Sequence, residues 1–289
     1  MSNHSGEALP TGTAHLLAAR AGGVLTLTLN RPEVRNAFSR EMLDGLAAML
    51  DFAAASDDVR AVVIAGAGGA FCAGGDLAKL AAGESIFGPA GDPGERLGAQ
   101  KALQRATVVR LRELAKPSVA LVEGAAVGAG LGLALACDLR YAGASATLRT
   151  GFGRIGLAGD FGCTWQLTRL LGASRALELL YLSPPLSAAR AQELGLVNEA
   201  VADDELAAHV SRTAARLAAL SPDAVRAMKE HVARAHDHDL ADCADAEAAW
   251  HVRLLESGAH RDAVRAIAHG RPRAARTSSE PQNPGAKRP

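Results

Sequence analysis

From Lys116 to Asp138 the chain reads K-P-S-V-A-L-V-E-G-A-A-V-G-A-G-L-G-L-A-L-A-C-D. The apolar run at 119–122 predicts a buried strand, and the run at 131–137 predicts a helix after a glycine-rich turn. Gly128 and Gly130 flank Ala129, so little side chain blocks the turn, and the first N–H groups of the helix stay free to meet an incoming oxygen. The chemistry such a turn offers is the holding of an oxyanion by fixed backbone donors. A tightly packed strand-to-helix turn without a ligand has the same pattern, so the turn alone leaves both readings open. The helix is apolar all round and carries Gly130 and Gly132, each costing roughly 1 kcal/mol against alanine, which predicts burial with close backbone approach. Other chemistry is thin. The nine histidines form no cluster with metal-ligand spacing, and His236 and His238 fall on a polar helix edge. Cys72, Cys137, Cys163 and Cys243 lie far apart without a C-x-x-C pair and read as reduced thiols, with Cys72 in the core rather than a nucleophile.

The elements on either side of this turn follow from hydropathy and caps. With 289 residues the chain can bury a substantial core as one large domain or two small ones. Residues 24–30 alternate as a half-buried strand, ended by Arg31-Pro32; Ser39 caps a helix that puts Met42, Leu43, Leu46, Met49, Leu50 and Ala53 on one face. A buried strand at 61–65 runs into G-A-G-G-A-F-C-A-G-G-D-L, a second strand-to-turn-to-helix junction in which Asp76 is an N-cap. Between 81 and 98 glycine, proline and acidic residues predict a flexible covering loop, and a helix at 100–114 is stopped by Lys116-Pro117. Short strands at 139–142 and 146–149 and a loop at 151–162 precede helices at 163–171, 174–182 and 187–194 and a strand at 197–201. Asp203 and Ser221-Pro222 predict two more helix starts, and helices at 242–256 and 259–269 follow. Residues 1–13 read as a flexible tail and 271–289 as a disordered one. Thirty-one basic residues balance thirty-one acidic ones, so no nucleic acid or anionic membrane is implied as partner. No leader pattern or membrane-length apolar run is present, which predicts a soluble, cytoplasmic protein.

Taken together, L-N-R-P-E-V-R-N-A-F (29–38), A-F-C-A-G-G-D-L (70–77), the K-P to A-C-D stretch, I-G-L-A-G-D-F-G (155–162), R-L-L-G-A-S-R-A (169–176) and S-A-A-R-A-Q-E-L-G-L-V-N (187–198) resemble the crotonase superfamily of enoyl-CoA hydratases and isomerases. The resemblance runs from about residue 14 to 271. It implies an α/β fold, a spiral of repeated strand-strand-helix turns over 14–202, with a C-terminal helical segment over 203–270 used in trimer contacts. It also implies an acyl-CoA thioester as substrate, a homotrimer or dimer of trimers, and no metal or redox cofactor, coenzyme A being part of the substrate. Charge on a thioester oxygen needs fixed donors. By match to the family motifs these are the N–H groups of Gly75 and Ala129. Arg35, Asn36 and Ala37 fall where the family lays the adenosine end of coenzyme A, although Arg35 reads equally as a solvated arginine; Lys79, Lys101 and Arg105 are weaker candidates.

Hydratases of this family use two glutamates, and the matching positions here hold Gly132 and Phe152, which transfer no proton. Asp160 instead resembles in position the aspartate of ring-1,2-epoxyphenylacetyl-CoA isomerases and of 4-chlorobenzoyl-CoA dehalogenases. The dehalogenases' helper histidine matches Arg105, and no histidine occurs from 100 to 114, which argues against dehalogenation. The implied activity is therefore that of an isomerase, with Asp160 moving a proton between carbons while the oxyanion site holds the enolate. Phe152 and Phe161 would raise its pKa by making its surroundings apolar. Asp160 reads also as an N-cap for the helix near Cys163. A hydratase or lyase with another base, such as Glu84 or Asp92, a non-isomerase biosynthetic member, and a non-catalytic acyl-CoA-binding member stay open as alternatives.

Overall fold

A computed structural model describes residues 6–87 and 92–269. The expected disordered tail at 271–289 lies outside them. The described residues fall into two compact units that meet in the chain at Arg226 and Ala227.

The first unit is built on a seven-stranded sheet of β1 (Glu7–Leu9), β2 (Leu16–Ala21), β3 (Val24–Leu29), β4 (Ala61–Gly66), β5 (Ser118–Val122), β7 (Leu139–Gly143) and β10 (Glu199–Val201), in that spatial order. A three-stranded sheet holds β6 (Ala125–Val127), β8 (Thr147–Arg149) and β9 (Leu186–Ser187). From β3 to β10 the large sheet is parallel, so crossovers must connect its strands. The last two crossovers use the small sheet: β5 is followed by β6 and then α5 (Ala129–Ala136), and β7 by β8 and then α6 (Cys163–Leu171). This is the expected strand-strand-helix turn. β4 and β5 are buried at every position, as strands covered on both faces must be, and both are the continuous apolar runs read in the sequence. α1 (Arg40–Ala55) buries the six predicted face residues, with Ser39 accepting from the Met42 N–H at 3.1 Å as its cap.

Several expectations need correction. Residues 7–9 of the predicted flexible tail form β1, paired antiparallel with β2, where Arg20 holds Glu7 at 2.7 Å and Asp58 at 2.9 Å. Its three residues, E-A-L, carry no alternating apolar run of their own, and it is the pairing with β2 that makes them a strand. The covering loop is shorter than predicted: α2 (Leu77–Ala81) occupies its start, and α3 (Pro93–Gln104) begins where Asp92 accepts from the Gly94 N–H and Pro93 takes the first helical position. α3 continues through a π-helical turn at Arg105–Val109, where the buried Thr107 hydroxyl donates to the Leu103 carbonyl at 2.6 Å, into α4 (Arg110–Glu113). Asp203 caps no helix; it accepts from the Ser145 N–H at 3.1 Å, beside the end of β7. After α6 come α7 (Ala173–Leu182), α8 (Ala188–Glu193) and α9 (Leu206–Ala218), the last packed on the large sheet within the first unit. α10 (Pro222–Arg234) leads into the second unit, which holds α11 (Leu240–Leu255) and α12 (Gly258–Ala268). No helix among the described residues is long and apolar enough to cross a membrane.

Candidate active site

Two glycine turns meet at one place. The first follows β4. Its Cys72 N–H donates to the Ala125 carbonyl and its Cys72 carbonyl accepts from the Val127 N–H, both at 2.9 Å, which zips it to β6 and to the turn before α5. A Cβ built on Gly74 would lie 2.5 Å from the Val127 carbonyl and 3.1 Å from the Ala129 nitrogen. Gly75 therefore follows directly on a residue in contact with the Ala129 N–H. Among the described residues neither the Gly75 nor the Ala129 N–H has a backbone acceptor, and Ala129 opens α5, where first-turn donors are free by construction. The approach is close enough to require glycine at 130, because a Cβ there would meet the Cys72 carbonyl at 2.4 Å and its sulfur at 2.8 Å. Cys72 itself is buried, donates to the Asn36 carbonyl at 3.0 Å, and has its thiol pushed up to about 12 by burial. It is a packing thiol, as the sequence suggested.

The loop carrying Arg35, Asn36 and Ala37 supports the first turn. Asn36 is fully buried and spends its side chain on three bonds: it donates to the Ala67 and Ala70 carbonyls at 2.8 and 2.7 Å and accepts from the Arg31 N–H at 2.8 Å. The Phe38 N–H reaches the Gly74 carbonyl at 2.8 Å, and the Arg35 carbonyl takes the Ala73 N–H at 2.9 Å. The Asn36 side chain is thus committed to the frame of the turn and the Ala37 side chain is buried, whereas Arg35 is exposed and sits beside the turn in a left-handed conformation (φ 51°). The sequence reading missed Arg31. Its buried guanidinium donates to the Ala37 carbonyl at 2.7 Å and lies 3.4 Å from the Asp76 carboxylate, which also caps α2 through the Lys79 N–H. The signal was the basic residue before Pro32 with an acid at the start of the next helix, too common a pairing to read alone. Lys79, Lys101 and Arg105 are exposed.

Asp160 lies on a loop that crosses α5 one helical turn beyond Ala129. A Cβ on Gly132 would stand 2.7 Å from the Phe161 carbonyl, so the two backbones touch. The position matched to the first hydratase glutamate is therefore filled by the Asp160 loop itself. Phe152, at the second, is buried with a ring carbon 3.7 Å from where a Gly128 Cβ would be. Phe161 is a left-handed aromatic residue (φ 46°), and its ring packs on Phe38 at 5.0 Å and on Phe87 at 6.5 Å between centroids. The side chain of Asp160 does not cap α6: Gly162 holds the N-cap position without a side-chain bond, and only the Asp160 carbonyl accepts, from the Cys163 N–H at 3.0 Å. Among the described residues its Oδ1 is buried without a hydrogen-bond partner, and burial alone pushes the carboxyl up to about 6. The other acids considered as bases differ: Asp92 is a cap, and Glu84 is exposed. Among the described residues no group of three or more histidine, cysteine or acidic side chains could hold a metal ion. A separate groove over the outer face of β1 to β3, lined by Leu9, Leu17, Thr26 and Thr28, carries no titratable group.

Comparison with known proteins agrees with this architecture. The enoyl-CoA hydratase/isomerase family pattern matches residues 19–271. The chain is similar to a 1,2-epoxyphenylacetyl-CoA isomerase of Escherichia coli K12, at 36% identity over 85% of this chain and 92% of that one. Among solved structures it is similar to an enoyl-CoA hydratase from Polaromonas sp. JS666, with a TM-score of 0.83, 33% identity, and coverage of 90% of this chain and 99% of that one. It is also similar to a protein from Thermobifida fusca YX solved in complex with CoA, with a TM-score of 0.77, 35% identity, and coverage of 84% and 93%. The strand-strand-helix architecture is that of the crotonase fold, and the chain belongs to the enoyl-CoA hydratase/isomerase family.

Proposed function

We propose that this chain is an acyl-CoA isomerase in which Asp160 carries a proton between two carbons of the acyl group. The observation that carries the reading is the Asp160 carboxylate: its Oδ1 is buried and, among the described residues, unpartnered, on a loop in backbone contact with the helix that begins at Ala129. A carboxylate committed to the fold would be paired or capping, since an unmet buried acceptor costs about 1–3 kcal/mol. A proton-transfer group must instead be free, and works best with its pKa near working pH.

The steps are simple. The thioester carbonyl oxygen sits between the Gly75 and Ala129 N–H groups. Ionised Asp160 removes the proton from the carbon beside the carbonyl, and the electron pair moves through the conjugated system onto that oxygen as an enolate. The protonated carboxyl then returns the same proton further along the chain, and the electrons fall back to a new double bond. Loss of one oxyanion donor typically costs about 2.7–4 kcal/mol in the barrier, so the two N–H groups carry much of the rate. Exposed Leu77 and Leu80, the latter 3.5 Å from the position of a Gly75 Cβ, offer apolar surface to an acyl group there. Exposed Arg35 beside the same turn offers charge to the phosphates of coenzyme A. The complex of the Thermobifida relative with CoA supports the ligand class. The chemistry asks for no metal or redox group. Water addition is disfavoured because the space of one family glutamate is taken by the Phe161 backbone and the other position holds a buried phenylalanine.

The test is turnover of 2-enoyl-, 3-enoyl- and ring-epoxide acyl-CoA thioesters by wild type and Asp160→Asn. We expect a double-bond or epoxide isomer from the wild type and at least a hundredfold loss in the variant. Equal behaviour of the two proteins sinks the assignment.

A further inference from the structure

The segment 81–87 is mostly small and exposed, yet it ends in an aromatic residue turned inward. Phe87 and its neighbour Ile86 are partly buried against the main core, and the Phe87 ring lies 6.5 Å from that of Phe161 with the planes inclined at 31°. Phe161 in turn packs on Phe38, which is fixed at the entry to α1. Three rings thus form a row, Phe38, Phe161, Phe87, with the middle one in a left-handed conformation that a bulky side chain seldom adopts without support. Two supports are on hand. The Phe161 carbonyl rests against Gly132, and its ring contacts the other two. The residue so held is next to Asp160.

We infer that Phe87 is a positioning residue: through Phe161 it fixes the Asp160 backbone and closes water out from around the carboxylate. It touches no reacting atom in this reading. Its effect is on where Asp160 points and how dry it stays. Offset aromatic pairs contribute about 0.5–1.5 kcal/mol beyond their area, enough to help hold a strained residue. Asp160 is raised by burial alone, so anything that admits water lowers it. The titratable group coupled to it from the next helix, the Cys163 thiol, is pushed up to about 12 and stays neutral over the working range. It therefore cannot mimic the effect.

The kinetic consequence rests on the isomerase reading, whereas the ionisation consequence does not, and the experiment separates them. In protein labelled with ¹³C at the aspartate carboxyl, the Asp160 resonance is identified by its absence in Asp160→Asn. It should titrate near pH 6 in the wild type and at least half a pH unit lower in Phe87→Ala, an increase of about threefold or more in the acid constant. Phe87→Leu, which keeps an apolar side chain, should stay near the wild type; should Phe87→Ala not fold, Phe87→Gln takes its place, since it keeps bulk but admits water. The acid limb of kcat on the thioester that wild type turns over should move down in pH by the same amount. An Asp160 titration unchanged in the alanine or glutamine variant overturns the inference. A titration that moves while the kcat profile stays fixed supports the inference and overturns the isomerase role of Asp160.

Discussion

In the proposed mechanism Asp160 is the residue at which folding and chemistry pull apart. Its carboxyl holds its proton more tightly in the fold than in the unfolded chain, because burial raises its pKa to about 6 from an ordinary 3.8. A group whose folded pKa is raised contributes stability at pH values below its unfolded pKa and loses that contribution as pH rises through the folded value. Asp160→Asn should therefore unfold at a higher temperature than wild type at pH 8, by an amount corresponding to at most about 3 kcal/mol, with the gain vanishing toward pH 4. Thermal melts at the two pH values decide it, and a variant less stable at pH 8 would show that the ionised carboxylate has partners after all. With Asp160 as the proposed base, the same ionisation predicts that wild-type kcat rises through about pH 6, since only the ionised form accepts a proton. Asn36 illustrates the opposite case. Its position in the N-A-F motif was legible as special, but its three buried bonds make it a brace of the Gly74 turn. Asn36→Ala should lower unfolding free energy by about 3 kcal/mol, read from urea melts; a loss under 1 kcal/mol would contradict that role.

At the scale of elements, α5 links the two halves of the site. It starts with the Ala129 donor and, one turn on, abuts the Asp160 loop at Gly132. Both contacts are of backbone on backbone, so neither side can yield by a change of rotamer. Gly132→Ala should leave the circular dichroism spectrum intact and still cut kcat by tenfold or more, because a shift of about 1 Å in a catalytic group is costly even without unfolding. Gly132→Glu should gain no hydratase activity, since the added side chain meets the Phe161 carbonyl rather than free space. Formation of the hydrated thioester by that variant would show the loop to be movable. The helices themselves were legible where caps and apolar faces are local: α1 with Ser39, and α6 with its start at Cys163, appear as read. At α3 the local signals conflict: Asp92-Pro93 is a sound cap and first position inside a stretch whose glycines and prolines suggest a loop.

At the scale of the whole molecule, α11 and α12 bury no residue of their own, and Leu240 and Ile267 are 85% and 81% exposed. Apolar faces of this kind on helices in the chain's second unit call for a cover. The expectation of a trimer supplies one: light scattering should give a mass near three chains of 29.7 kDa, and Ile267→Glu should lower it; a monomeric wild type would remove the trimer from the reading. Sequence by itself determined what is local or repeated: the apolar runs of β4 and β5, the caps of α1 and α2, the glycine turns with their free donors, and the motif order that marks the family. It did not determine β1, which exists only by pairing with β2, nor the use of Asn36, Arg31 and Asp203, whose partners lie on other segments. Only the tertiary structure decided that the Asp160 side chain does not cap α6 and, among the described residues, keeps a buried oxygen unmet, because satisfaction of a polar atom depends on the chain segments packed around it. Likewise the reason for glycine at 132 is the carbonyl of Phe161, twenty-nine positions away in sequence and in contact in space.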